Sequence, residues 1–267
     1  MKVISVINHK GGVGKTTVTL NFGAELAEKG YKVLLIDFDA QGNLSKGVGL
    51  KDHENIKDTI ASAMEQVMDG DDGKCNLKIH KTEISDSLDI IPSNIAMANT
   101  NLKLQLAIGR ELVLKKIIKH IKENYDYDFI LIDNAPSIAL DFQNSIIASD
   151  EVLIVTSPDV FSANGMTSLL KEYLKVRKYF GKDNLKIAGI LINNADRRTV
   201  FTKEMIEVIK SAFGKIKIFN TIIPQSVRVK ESQANSCAIK DYEKENKAGL
   251  AFKEFVEEYL NENGVFF

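Results

Sequence analysis

Residues 3–17 read Val-Ile-Ser-Val-Ile-Asn-His-Lys-Gly-Gly-Val-Gly-Lys-Thr-Thr. A short β-branched run ends in a glycine cluster, and from Val18 to Lys29 apolar residues recur at helical spacing before Gly30 supplies a stop. Strand, glycine loop and helix in that order make an anion cradle. Gly11, Gly12 and Gly14 have no side chains, so successive backbone N–H groups can curl around phosphate oxygens while the helix directs its positive dipole end at them. Gly14-Lys15-Thr16 completes the spacing of a P-loop, with Val13 inside the loop. Lys15 is placed to reach β- and γ-phosphates, Thr16 to hold Mg²⁺ and Thr17 to touch the α-phosphate. An ordinary glycine turn needs neither that lysine nor two threonines.

The rest of the chain repeats the alternation. Lys32–Ile36 reads as a buried strand, and further strands are expected at 88–91, 128–132, 151–156, 186–192 and 217–223, with helical patterns between most of them. This pattern predicts one α/β domain over residues 1–267: a doubly wound, mostly parallel sheet flanked by helices, with ligands at the carboxyl ends of its strands. Residues 51–87, including Asp69-Gly70-Asp71-Asp72-Gly73, read as a variable segment of helices joined by an exposed loop.

Composition narrows the class. With 267 residues and 44% apolar content the chain can bury a full core. No run of eighteen apolar residues occurs and the first strand begins at once, so neither a signal peptide nor a membrane span is expected and the reading is cytoplasmic. Cys75 and Cys237 cannot form a disulfide framework. The net charge is −1, yet residues 176–250 hold fifteen Lys or Arg against eight Asp or Glu. Such asymmetry suits a polyanion-facing surface, and solvated helix faces produce it too.

Two strand ends carry acids. Ile36-Asp37-Phe38-Asp39-Ala40-Gln41-Gly42 puts two carboxylates at the mouth of the phosphate site, and Phe129-Ile130-Leu131-Ile132-Asp133 has the Walker B form, in which a carboxylate serves Mg²⁺. A third strand, Gly189-Ile190-Leu191-Ile192-Asn193-Asn194, runs out into amides, which suits either a base contact or a turn.

The loop also departs from the ordinary P-loop, because His9 stands where its first glycine belongs and Lys10 follows. Lys10-Gly-Gly-Val-Gly-Lys15-Thr-Thr resembles the deviant Walker A motif of the ParA/MinD family of ATPases, and within it the ParA-type partition ATPases. That resemblance implies ATP and Mg²⁺ as cofactors, a homodimer when ATP is bound, and a signature lysine, here Lys10, that crosses to the partner's nucleotide. It makes Lys10, Lys15 and Asp39 the catalytic set, with Asp39 orienting the attacking water and hydrolysis slow. Thr16, Asp37 and Asp133 become the Mg²⁺ residues. Gly11, Gly12, Val13, Gly14, Lys15, Thr16, Thr17, Asn193 and Pro224 become the nucleotide contacts. Ala40 replaces the proline of the family's Asp-x-Asp-Pro-Gln-Gly switch. The tract Thr221–Ser232, the run Asp196-Arg197-Arg198-Thr199 and the stretch from Asp241-Tyr242 to Gly249 extend the likeness to about Phe255.

In that family basic residues of the C-terminal region bind DNA without sequence preference once ATP closes the dimer. Lys215, Lys217, Arg228, Lys244 and Lys247 are the corresponding candidates, while Gln225 stands where an arginine is frequent. A ParB-like centromere-binding protein is the implied stimulating partner, with nucleoid association as the implied location. With the first strand starting at residue 2, no operator-reading domain is expected. A MinD-like membrane-associated positioner is the alternative, but the segment Phe252–Glu262 is acidic on its polar face and reads as a packing helix, with no membrane partner expected. An iron–sulfur redox role is disfavoured by where the two cysteines lie, and no residue names the second substrate of an ATP-dependent ligase.

Overall fold

The computed structural model describes residues 1–70, 75–160 and 162–262. Its strands are β1 (Lys2–Ile7), β2 (Val33–Phe38), β3 (His80–Lys81), β4 (Leu88–Ile91), β5 (Phe129–Asn134), β6 (Glu151–Thr156), β7 (Lys186–Ala195) and β8 (Ile218–Pro224). They form one sheet in the order β3-β4-β2-β5-β1-β6-β7-β8. Every pairing is parallel except β3 with β4. The P-loop strand β1 therefore lies in the middle, between β5 and β6, where the strand order reverses and a crevice opens at the carboxyl ends.

Strands in such a sheet are buried on both faces, which is why they read as continuous apolar runs. In β2, Val33 and Leu35 point into one layer while Leu34 and Ile36 point into the other. The first layer holds the helix Lys15–Glu28 over β1, β2 and β5 and, beside it against β8, the terminal helix Lys247–Glu262. Phe22 meets Phe255 and Tyr259 edge to face, both at 5.1 Å. The opposite layer is built by the helices Ile60–Met68 and Val113–Asn124 beside β2 and β4, and by Leu140–Ala148, Ser162–Tyr179 and Val200–Phe213 beside β6 and β7.

The terminal helix is also tied to the amino end of the sheet. The Tyr259 hydroxyl donates to Glu151 Oε2 at 2.8 Å, and Lys2 Nζ reaches Glu151 Oε1 at the same distance. Glu151 is buried, so this pair of donors satisfies a charge that would otherwise be costly to bury.

The segment 51–87 differs from its expected form. It contains a single turn at His53–Asn55, the helix Ile60–Met68 and then the short antiparallel edge strand β3, which sequence periodicity does not reveal in two residues. Ile60, Met64 and Val67 are core residues. Asp71, Asp72 and Gly73 of the expected loop lie outside the described residues.

Candidate nucleotide site

Gly14 ends the loop as the N-cap of the helix Lys15–Glu28, with φ 91° and ψ 32°. Gly12 also has positive φ, 77°. Both conformations are ones that side-chain-bearing residues avoid. At Gly14 space forbids a side chain as well, since a Cβ would overlap the Asn193 amide. That amide donates from Nδ2 to the carbonyl of Val13 at 2.8 Å, so the end of β7 is latched to the loop after β1.

The loop opens on a cleft of about 740 Å³ lined by Gly11, Gly12, Gly14, Lys15, Thr16 and Thr17 on one side and by Asp39, Gln41, Asn43 and Pro136 on the other. A narrower cavity adjoins it between Asn193, Pro224, Val229 and Gln233. The two amide and proline positions singled out for the base thus lie together beside Gly12, Gly14 and Thr17.

Lys15 is 7% exposed, and its ammonium group donates to the Lys10 carbonyl at 3.3 Å. Burial lowers its pKa, against the pull of Asp133 and Asp39. Asp133 is 1% exposed and its register partner across β2 and β5 is Asp37, which is fully buried. Burial and the neighbouring Asp37 charge hold the Asp133 carboxyl above the usual carboxylate range, while a hydrogen bond from Thr16 and the Lys15 charge oppose the rise. Asp37 is pushed up to about 6, chiefly by burial. Its Oδ2 accepts from the Ser45 amide at 2.8 Å and the Ser45 hydroxyl at 2.7 Å, and its Oδ1 from the Asp39 amide at 3.2 Å. Asp37 thereby fixes the loop that carries Asp39, and it and Asp133 both lie just behind the cleft wall rather than on it. Asp39 is half-buried and lines the cleft, with Oδ1 accepting from the Gln41 amide at 3.0 Å.

These residues fit a magnesium nucleotide. A glycine cradle that a Cβ would fill stands beside a buried ammonium, and two buried carboxylates repel each other where a divalent cation would relieve them. Among the described residues no group of three His, Cys, Asp or Glu could cage a metal alone, and Mg²⁺ held by one or two protein groups plus phosphates needs no such cage.

Lys10 sits elsewhere. It does not line the cleft; Nζ turns outward to Asp159 Oδ1 at 2.5 Å, on the loop after β6. The two lysines of the motif therefore face in different directions.

Sequence reasoning missed three partners. Gln233 Nε2 donates to the Thr17 hydroxyl at 2.8 Å, Ser45 anchors Asp37, and Asp159 holds Lys10. Gln233 carried no local signal, because it is 216 residues from Thr17 along the chain, whereas Ser45 is only 8 residues from Asp37 and is brought to it by the turn after β2.

The DNA candidates differ in exposure and in partners. Lys215, Lys244 and Lys247 are exposed. Lys217 is half-buried over the Phe219 ring, 4.0 Å from its centroid. Arg228 is engaged with Glu231 at 2.7 Å and Glu243 at 3.4 Å. No helix among the described residues is long and apolar enough to cross a membrane.

A family model described as an AAA domain matches residues 1–187. The chain is 34% identical to the sporulation initiation inhibitor protein Soj of Bacillus subtilis over 257 residues, 96% of this chain and 97% of that protein. Identity is also 34% to the chromosome-partitioning ATPase Soj of Treponema pallidum, covering 98% of each chain. Among solved structures it is similar to the septum site-determining protein MinD of Pyrococcus horikoshii complexed with Mg-ADP. That match has a TM-score of 0.73 and 27% identity over 99% of this chain and 98% of that one.

Proposed function

We propose that this chain, which belongs to the Soj and ParA group of P-loop ATPases, is a DNA-partition ATPase switched by its nucleotide. In this reading two copies close on ATP and Mg²⁺, the closed dimer binds DNA without sequence preference, and a ParB-like partner stimulates hydrolysis.

The observation that carries the reading is the division of labour between the two lysines. Lys15 is buried at the cleft floor, where it would neutralise the phosphates of its own nucleotide. Lys10 points out of that cleft, so it is available to a second copy only after leaving Asp159. An ion pair this exposed, with each side chain about a third accessible, is worth little in water and breaks readily.

Thr16 would hold Mg²⁺ with the buried pair Asp37 and Asp133 behind it, directly or through water, and the ion would supply charge neutralisation at the β- and γ-phosphates. Asp39 lines the cleft and would orient the attacking water. Positioning a water is most of what the protein contributes to phosphoryl transfer, so a chain whose remaining charge arrives only from a partner turns over slowly.

The MinD-like alternative needs an amphipathic terminal helix free to lie on lipid. Here Phe252, Phe255, Val256 and Tyr259 of that helix are fully buried, which favours the DNA reading.

The test is fluorescence anisotropy of a duplex of random sequence, measured with the Asp39→Ala protein in ATP and in ADP across a salt series. The reading expects binding in ATP only, with log affinity falling linearly against log salt. Equal affinity in both nucleotides would refute it.

A further inference from the structure

On the layer opposite the terminal helix, the helix Val113–Asn124 presents a groove of about 510 Å³ far from the nucleotide. Its floor is half-buried Leu112 over the core residues Ile118, Ile147 and Ala148, and the lysine stems add apolar surface at the walls. Its walls are cationic. Lys115, Lys119 and Lys122 share one helix face at i, i+4 and i+7, Lys116 stands beside them, and Lys182 closes the far side from the turn before β7. Glu123 and Asp150 are the two acids of the groove.

The acids do not cancel the lysines. Glu123 pairs with Lys119 at 3.7 Å and Asp150 with Lys122 at 3.3 Å, while among the described residues no ion pair holds Lys115 or Lys116. Lys182 donates to the Ser149 carbonyl at 2.9 Å, and burial together with the Lys115 and Lys122 charges lowers its pKa. A chain of net charge −1 thus concentrates unpaired cation around an apolar trough.

We propose that this groove docks an acidic amphipathic helix of a partner protein, seating apolar side chains against Leu112 and the lysine methylenes and carboxylates against the Lys115, Lys116 and Lys119 ammonium groups. The floor decides between occupants. A phosphodiester backbone would answer the lysines yet leave the trough unfilled, whereas a helix with one apolar and one acidic face answers both. Length agrees too, since the twelve-residue helix that forms the wall spans about 18 Å, enough for three turns of a partner. Asp150 precedes β6, so the groove lies at the amino end of the sheet, roughly 20 Å of strand away from the P-loop. Docking there leaves the nucleotide cleft uncovered and does not depend on the partition reading.

The test uses the full chain and a fluorescein-labelled, hydrocarbon-stapled peptide of about 12 residues, with Leu at i, i+3, i+4 and i+7 and Glu on its flanks. It should bind with the same affinity in ATP, in ADP and without nucleotide. Lys115→Glu/Lys116→Glu/Lys119→Glu should weaken it at least about tenfold, the corresponding triple Gln variant less, with ATP turnover and circular dichroism unaltered in both. A control peptide with Lys in place of Glu should not bind. Equal binding to wild type and the triple Glu variant, or to the Lys peptide, would overturn the proposal. So would failure of the Glu peptide to bind. Duplex DNA or phosphatidylglycerol vesicles that displace the Glu peptide, and lose their own affinity in the triple Glu variant, would make the groove a nucleic-acid or lipid surface instead.

Discussion

Gly14→Ala tests the latch between the loop and β7. Two costs meet at this residue. An L-residue at φ 91° sits in left-handed space, worth about 1–2 kcal/mol. The new methyl group also displaces the Asn193 amide, breaking its 2.8 Å hydrogen bond and leaving the Val13 carbonyl unpaired in a buried site, worth about 1–3 kcal/mol. The single substitution should therefore lower stability by about 2–5 kcal/mol. In an Asn193→Ala background the methyl group has room and the hydrogen bond is already gone, so the same change should cost only the about 1–2 kcal/mol of strain. Gly12→Ala is an internal control, because φ is positive there but nothing lies within 4 Å of the added Cβ. Its cost should equal that of Gly14→Ala in the Asn193→Ala background. Equilibrium urea denaturation of the four variants without nucleotide reads all of these terms. An identical cost for Gly14→Ala in both backgrounds would refute the latch.

Other consequences are simpler to check. Gln233→Ala removes the donor to the Thr17 hydroxyl and should change the dissociation constant for ATP by about two- to tenfold, read by titration calorimetry; an unchanged constant would make that contact irrelevant to the bound state. Tyr259→Phe leaves one oxygen of buried Glu151 without its hydroxyl donor and should lower stability by about 1–3 kcal/mol while ATP turnover stays as it was. A stability loss that came with lost turnover would mean that the amino end of the sheet is coupled to the site.

What the sequence discloses about this molecule is whatever is encoded locally. The P-loop, Asp37 and Asp133 are each a few residues at the end of an apolar strand, and the parallel sheet follows from how regularly such strands alternate with helices. The sheet's register then brings Asp37 opposite Asp133, as motif logic requires. The illegible parts are long-range or very short. Gln233 reaches Thr17, and Tyr259 reaches Glu151, only because the terminal helices fold back over Lys15–Glu28. β3 is two residues that borrow their structure from β4. Asp37 looks in sequence like a cleft residue equal to Asp39; its burial behind Ser45 emerges only when the loop after β2 turns back on itself.

The central claim is that Lys10 leaves Asp159 to serve the nucleotide of a second copy. The most direct measurement is the mass in solution, by light scattering after gel filtration, of Asp39→Ala and of Asp39→Ala/Lys10→Ala with ATP and Mg²⁺. The expected result is a doubled mass for the first protein and the mass of one chain for the second, with ATP bound by both. A doubled mass in both proteins, or one chain's mass in both, would contradict it.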